Sequence, residues 1–186
     1  MAVIIFEGPD GSGKSTTIEK VSEYLNFPSS HDGGPSRDAE HCRERIDELL
    51  RTARQSNAIK DRSTVFSDAI YKETFGKEPF VPYDEVYHRI WQLSGLGAIV
   101  VYCRPPMQTL IDNIPLLARA KPHKPPEYAE QLKSLVPTLA QIYDREVMKW
   151  SALGLPVIRY DFTENKVEDL LSALGLFWDD HLNYCE

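Results

Sequence analysis

Val3-Ile4-Ile5-Phe6-Glu7-Gly8-Pro9-Asp10-Gly11-Ser12-Gly13-Lys14-Ser15-Thr16 is the stretch whose reading decides the fold of this chain. Val3–Glu7 reads as a short buried strand, and Ser15–Leu25 as a helix with Ile18, Val21 and Leu25 on one face. Between them, Gly8 to Ser15 satisfies G-x-x-x-x-G-K-[ST] completely. The glycines let successive backbone N–H groups curl around an anion without Cβ clashes. The helix that follows points its positive end at the same anion. Gly8, Asp10, Gly11, Ser12, Gly13, Lys14, Ser15 and Thr16 are therefore the candidate nucleoside-triphosphate residues, with Lys14 reaching the β- and γ-phosphates and Ser15 a ligand for Mg²⁺. A chance match in a chain of this length is on the order of one per cent, and the flanking strand and helix lower that further.

Outward from the loop, strand and helix patterns alternate. Ala39–Gln55 carries Ala39, Cys42, Ile46, Leu49 and Ala53 at helical spacing, and Asn57–Lys60 is a short strand ending at Asp61. Thr64–Tyr71 and Asp84–Leu93 read as helices, and Ala98–Cys103 as an apolar strand closed by Pro105-Pro106. Met107–Ala118 and Pro126–Trp150 read as helices, Leu155–Tyr160 as a last strand, and Val167–Leu174 as a final helix stopped by Gly175. Apolar strands interleaved with helices predict a parallel sheet covered on both faces. The expectation is an α/β chain with the three-layer α/β/α fold of P-loop NTPases, one domain over residues 1–186.

Composition narrows the functions. At 186 residues a single domain buries a full core without staples. A net charge of -7 argues against a general nucleic-acid binder, because phosphate backbones reward a basic surface. Cys42, Cys103 and Cys185 show neither metal spacing nor a disulfide framework and read as free thiols. The N-terminus lacks a secretory pattern and no apolar run has membrane length, so a cytoplasmic protein without a membrane association is expected.

A phosphate loop does not by itself name a reaction. Asn165-Lys166-Val167-Glu168 approaches the guanine-reading Asn-Lys-x-Asp but carries Glu in place of Asp, and reads instead as a helix entry. Asp61-Arg62-Ser63 is more informative. It stands where a strand runs out, and ligands of open α/β sheets collect at the carboxyl ends of strands. An acid there orients metal-bound water or takes an acceptor proton, and an arginine beside it holds a phosphate.

Phe6-Glu7-Gly8-Pro9-Asp10-Gly11-Ser12-Gly13-Lys14-Ser15-Thr16, with Asp61-Arg62-Ser63 and then Tyr71, resembles the thymidylate kinase group of nucleoside monophosphate kinases, in a compact form similar to its phage members. The resemblance implies ATP with Mg²⁺ on the loop and a deoxynucleoside monophosphate as acceptor, dTMP or a modified pyrimidine foremost. It places Asp10 at the acceptor's sugar, Asp61 at the metal or acceptor oxygen, and Arg62 at the acceptor phosphate, with Tyr71 beside them. His31-Asp32-Gly33-Gly34-Pro35 occupies the family's turn after the second strand, which makes Asp32 a candidate acceptor contact. Arg43 corresponds to the family's helix-borne acceptor arginine, whereas Arg45 is expected at the surface. The segment between the loop and Asp61 is shorter than in ordinary thymidylate kinases. Asp61–Asp68 also echoes the Glu-Arg-Ser motif of deoxynucleoside kinases.

The loop carries no arginine, so cations for the transferring phosphoryl group are sought elsewhere. Arg119-Ala120-Lys121-Pro122-His123-Lys124-Pro125-Pro126 is a basic, proline-broken segment with the character of a lid over 119–126, Arg119, Lys121 and Lys124 being its candidates. Tyr160-Asp161-Phe162-Thr163 stands where the family places its adenine loop. Arg104 is left open between phosphate binding and strand termination, and the tail Phe177–His181 between packing on the body and a homodimer contact. Two competing functions stay open: a kinase acting on a deoxynucleoside or on a hydroxymethylated base in DNA, and an NTP-hydrolysing switch or scaffold.

Overall fold

Alternation along β1 (Val3–Glu7) divides the core in two: Val3 and Ile5 enter one apolar cluster, Ile4 and Phe6 the other. The computed structural model describes residues 2–32, 34–120 and 127–182. β1 is the centre of a five-stranded parallel sheet with β2 (Ser29–His31), β3 (Ala58–Asp61), β4 (Ile99–Cys103) and β5 (Val157–Tyr160), in the order β2-β3-β1-β4-β5. On one face lie α2 (Ala39–Gln55), α3 (Thr64–Thr74), α4 (Tyr83–Gly95) and α6 (Tyr128–Ala152), contributing among others Ile46, Phe66, Ile90 and Trp150. On the other lie α1 (Lys14–Leu25) and α7 (Val167–Leu182), through Ile18, Val21, Leu170 and Leu174. α5 (Met107–Ala120) packs Leu110 and Ile114 against Leu132, Val136 and Ala140 of α6, apart from the main layers. This is the three-layer α/β/α P-loop NTPase arrangement the sequence predicts.

One reading is corrected, and one strand carried no signal. Gly175 does not stop the last helix, because α7 runs through it to Leu182. A glycine inside a helix costs about 1 kcal/mol, too little to end one without a left-handed turn. β2 has an exposed Ser-Ser-His pattern and no apolar signature; its pairing with β3, not its own sequence, makes it a strand. Among the described residues no helix is long and apolar enough to cross a membrane.

The sheet order fixes the site. β1 has β3 on one side and β4 on the other, so the loops leaving their carboxyl ends open into one crevice. Phe6 is level with Asp61, and Glu7 with Tyr102. The two motifs far apart in sequence therefore leave the sheet side by side.

Candidate active site

The phosphate loop is closed on itself. Gly8 has φ +143°, and a Cβ there would collide with the Cys103 carbonyl of β4. Gly13 has φ +79°, and its missing Cβ leaves room for the Phe162 ring, which would stand 2.7 Å away. Lys14 is buried and donates from Nζ to Pro9 O (2.7 Å), Gly8 O (2.9 Å) and Ser12 Oγ (3.0 Å). Burial, with Arg62 nearby, pulls its pKa down to about 8, so it remains largely protonated at pH 7. An anion in the loop gives that ammonium a better partner than two carbonyls.

Ser15, in the first turn of α1, donates from Oγ to Asp61 Oδ2 at 3.1 Å. The His31 ring donates from Nδ1 to the Asp61 carbonyl at 2.9 Å, holding the end of β3. A hydroxyl and a carboxylate at hydrogen-bond separation beside the loop are hard oxygen donors of the kind that would hold Mg²⁺. Thr16 follows on the same cleft wall.

Arg62 is reached through an unusual backbone. Its φ is +67°, a left-handed conformation that a non-glycine residue adopts only when its surroundings hold it there. Two contacts do so: the Arg62 N–H donates to Phe6 O (2.9 Å), and the Ser63 N–H donates to Glu7 Oε1 (2.7 Å). The turn sends the guanidinium back to Asp10, where NH2 meets Oδ1 at 3.0 Å, and over the Tyr71 ring at 5.0 Å. Tyr71 donates its hydroxyl to Asp10 Oδ2 at 2.9 Å. Burial opposes the Asp10 charge, yet Arg62, Lys14 and Tyr71 together hold its carboxyl well below the usual carboxylate range. Arg62 Nε is buried without a partner, so the guanidinium retains an unused donor.

Glu7 lies beneath this group, fully buried, and also accepts the Tyr143 hydroxyl of α6 at 3.0 Å. Burial pushes its carboxyl up from 4.5 to about 7 against the opposing pull of Ser63, Arg62 and Tyr143. A carboxyl raised in the fold favours folding most when protonated, and that contribution is lost as pH rises from about 4.5 through about 7. Stability against urea is therefore expected to fall between pH 5 and pH 7.5, and Glu7→Gln to flatten the slope. An unchanged slope in that variant would remove Glu7 as the cause. Lys14, lowered from 10.5 to about 8, acts in the opposite sense and only above pH 8.

Other sequence expectations fare differently. Asp32 spends its carboxylate on the fold: Oδ2 accepts the Thr64 N–H (2.9 Å) and hydroxyl (3.1 Å), capping α3. Arg43, expected at the acceptor phosphate, instead forms a two-bond fork with Glu85 of α4, each bond 2.9 Å. Arg45, expected at the surface, is the one beside Asp32 (3.4 Å), and it donates to Gly34 O. Arg104 closes on Asp144, which also accepts the Tyr102 hydroxyl, while its backbone N–H donates to Tyr160 O of β5 at 2.8 Å. Lys121 and Lys124 lie outside the described residues; Arg119 falls in the last turn of α5, its side chain also outside them. Sequence reasoning passed over Glu7, Tyr143 and Asn113. A charged residue ending an otherwise apolar strand was the available signal for Glu7. The other two carried none.

The cleft holding these groups has a volume of about 1310 Å³. From the loop, Asp61 and Arg62 it runs past Asn113 and Leu116 of α5 to Phe162, Asn165, Lys166 and the start of α7. Asn165 and Lys166 serve the helix entry the sequence suggests: Asn165 Oδ1 accepts the Asp161 N–H, and Asp169 caps the Lys166 N–H.

Comparison with protein-family models and with curated proteins returned no match. Solved structures do match. The chain superposes on the YorR protein of Bacillus subtilis, solved in complex with phosphorylated GDP, with a TM-score of 0.68, 22% identity and coverage of 99% of this chain and 98% of that one. Deoxyadenosine kinase from M. mycoides, solved with dCMP and dCDP, gives 0.59 and 17% identity over 97% and 100% of the chains. Shikimate kinase from Acinetobacter baumannii gives 0.55 and 14% over 96% and 93%. The fold is shared with P-loop kinases over nearly its whole length.

Proposed function

We propose that this protein is an ATP- and Mg²⁺-dependent kinase that transfers the γ-phosphoryl group of ATP to a deoxynucleoside monophosphate, dTMP or a modified pyrimidine nucleotide foremost. The observation that carries this reading is Arg62, turned by a left-handed backbone onto Asp10 and Tyr71 in the same cleft as Lys14. A donor-phosphate cation and an arginine-acid pair on one cleft, the pair backed by the Tyr71 ring, are what a two-substrate transfer needs and a simple hydrolase does not. The nucleotides bound by YorR and the M. mycoides kinase support nucleotide chemistry on this scaffold.

In this scheme Lys14 and the loop N–H groups hold the β- and γ-phosphates. Asp10 accepts a sugar hydroxyl, Tyr71 closes the sugar side, and Arg62 turns its guanidinium to the acceptor phosphate. Asp61 orients the acceptor oxygen or, with Ser15, holds Mg²⁺, whose chemistry is to neutralise the charge of the transferring group. Arg119, Lys121 and Lys124 supply further cations. A second reading has one observation in its favour. With Arg43 committed to Glu85, the acceptor side keeps Arg62 as its cation, which suits an uncharged hydroxyl on a deoxynucleoside or on a hydroxymethylated base in DNA.

The test is transfer of labelled γ-phosphate from ATP to a panel of deoxynucleosides, deoxynucleoside monophosphates and hydroxymethyluracil-containing DNA. Acceleration by one monophosphate is expected. Label on nucleoside or DNA alone overturns the first reading in favour of the second, and hydrolysis indifferent to every acceptor overturns both.

A further inference from the structure

α5 is bound to α6 by its apolar face, through Leu110 and Ile114. Its other side meets the phosphate loop. Asn113, one residue from Ile114, donates from Nδ2 to Gly11 O at 2.8 Å, across 102 positions of sequence. Among the described residues this hydrogen bond is the one that ties α5 to the loop. Leu116, one helical turn on, lines the same cleft.

The bond falls on a glycine peptide of the loop. Gly11 has φ +82° and no side chain to hold it, so the Gly11–Ser12 peptide plane could rotate at little steric cost. In a planar trans peptide, C=O and N–H point in opposite directions. An amide that holds Gly11 O toward α5 therefore holds the Ser12 N–H away from α5. That N–H belongs to the row of loop donors on which phosphate binding depends. Lys14 already fixes the neighbouring part of the loop through Gly8 O, Pro9 O and Ser12 Oγ. Gly11 O accepts instead from Asn113.

We propose that Asn113 is a positioning residue for triphosphate binding, locking the Gly11–Ser12 peptide so that the loop presents its donors before the ligand arrives. The inference rests on the reading of Gly8–Ser15 as a donor-phosphate site. Because Asn113 acts through the loop peptide, its effect is on ground-state binding: KM for ATP rises while kcat changes little.

The experiment measures Mg²⁺-ATP and Mg²⁺-tripolyphosphate binding by calorimetry, alongside steady-state kinetics, for the full chain and its Asn113→Ala, Asn113→Asp and Asn113→Gln forms. One lost hydrogen bond with an unlocked loop is expected to weaken both ligands about tenfold in Asn113→Ala. Asn113→Asp, placing a carboxylate against a carbonyl and near the phosphates, is expected to weaken them on the order of 100-fold. Asn113→Gln, which keeps the amide, recovers most of the loss. Equal affinity of wild type and Asn113→Ala overturns the inference and leaves the kinase reading intact. Equal loss in Ala and Gln forms together with lowered melting temperatures makes Asn113 a packing residue and also overturns it. Absence of binding by the wild type itself overturns the donor-site reading, and this inference with it.

Discussion

Replacing Lys14 by Met is expected to lower phosphoryl transfer about 10³-fold or more while leaving the melting temperature at or a few degrees above that of the wild type. The two halves of this result have one cause. Lys14 is buried among backbone carbonyls, and desolvation is the largest influence on it, with the neighbouring Arg62 charge next. The folded protein therefore holds a cation at a cost that Asp10 and Asp61 offset only in part and that a bound anion offsets further. Met fills similar space without the charge, and the Gly8 carbonyl retains the Arg62 NH2 contact at 3.4 Å. Activity assays and thermal melts on the same preparation read both quantities. Retained transfer would remove Lys14 from the chemistry, and a large drop in melting temperature would make its role structural.

The second large effect is on the acceptor side. Arg62→Ala leaves the Asp10 carboxylate, whose side chain is 12% exposed, with Tyr71 as its remaining close partner. Breaking a mostly buried pair from one side costs about 3 kcal/mol, because the charge left behind is uncompensated. In the wild type, Asp10 lies below its ordinary value of 3.8, so its stabilisation is complete above that pH and disappears only as pH falls through the depressed value. Without Arg62, burial dominates and the carboxyl moves upward, so the variant is expected to be relatively more stable at pH 5 than at pH 7. Acceptor-dependent turnover should fall on the order of 10³-fold with the KM for ATP little changed. Arg62→Lys should recover little, since an ammonium cannot reproduce the planar guanidinium that stacks on Tyr71 while bonding Asp10. Arg62→Ala combined with Asp10→Asn should restore most of the lost stability in urea titrations. Strict additivity of the two substitutions would show that they are not coupled.

The phosphate loop, the alternating strands and helices, and the Asp61-Arg62 pair were all legible in the chain, because each depends on short-range geometry. Glycines at Gly8 and Gly13 permit positive φ, apolar spacing sets the face of a helix, and a strand that runs out at Asp61 leaves that residue at the carboxyl end of the sheet. α2 begins and ends where its periodicity places it, and in the structure Asp38 caps its first turn. Gly175 failed as a stop signal for the same reason: a mid-helix penalty is small, and the helix had no local cause to turn there.

Partner choice was not legible. Arg43 and Arg45 are two residues apart and so point about 200° from each other around α2, and chemistry alone does not distinguish them. The packing of Cys42, Ile46 and Leu49 into the core sets the rotation of the helix, which delivers Arg45 to Asp32 and Arg43 to Glu85. Glu7 meets Tyr143 from 136 positions away, and Asn113 meets Gly11 from 102. A pattern confined to one segment describes the backbone of that segment. It holds no information about which side chain of another element arrives opposite it. That pairing is set by the order of strands in the sheet and the rotation of the helices laid upon it, and both exist only once the chain has folded.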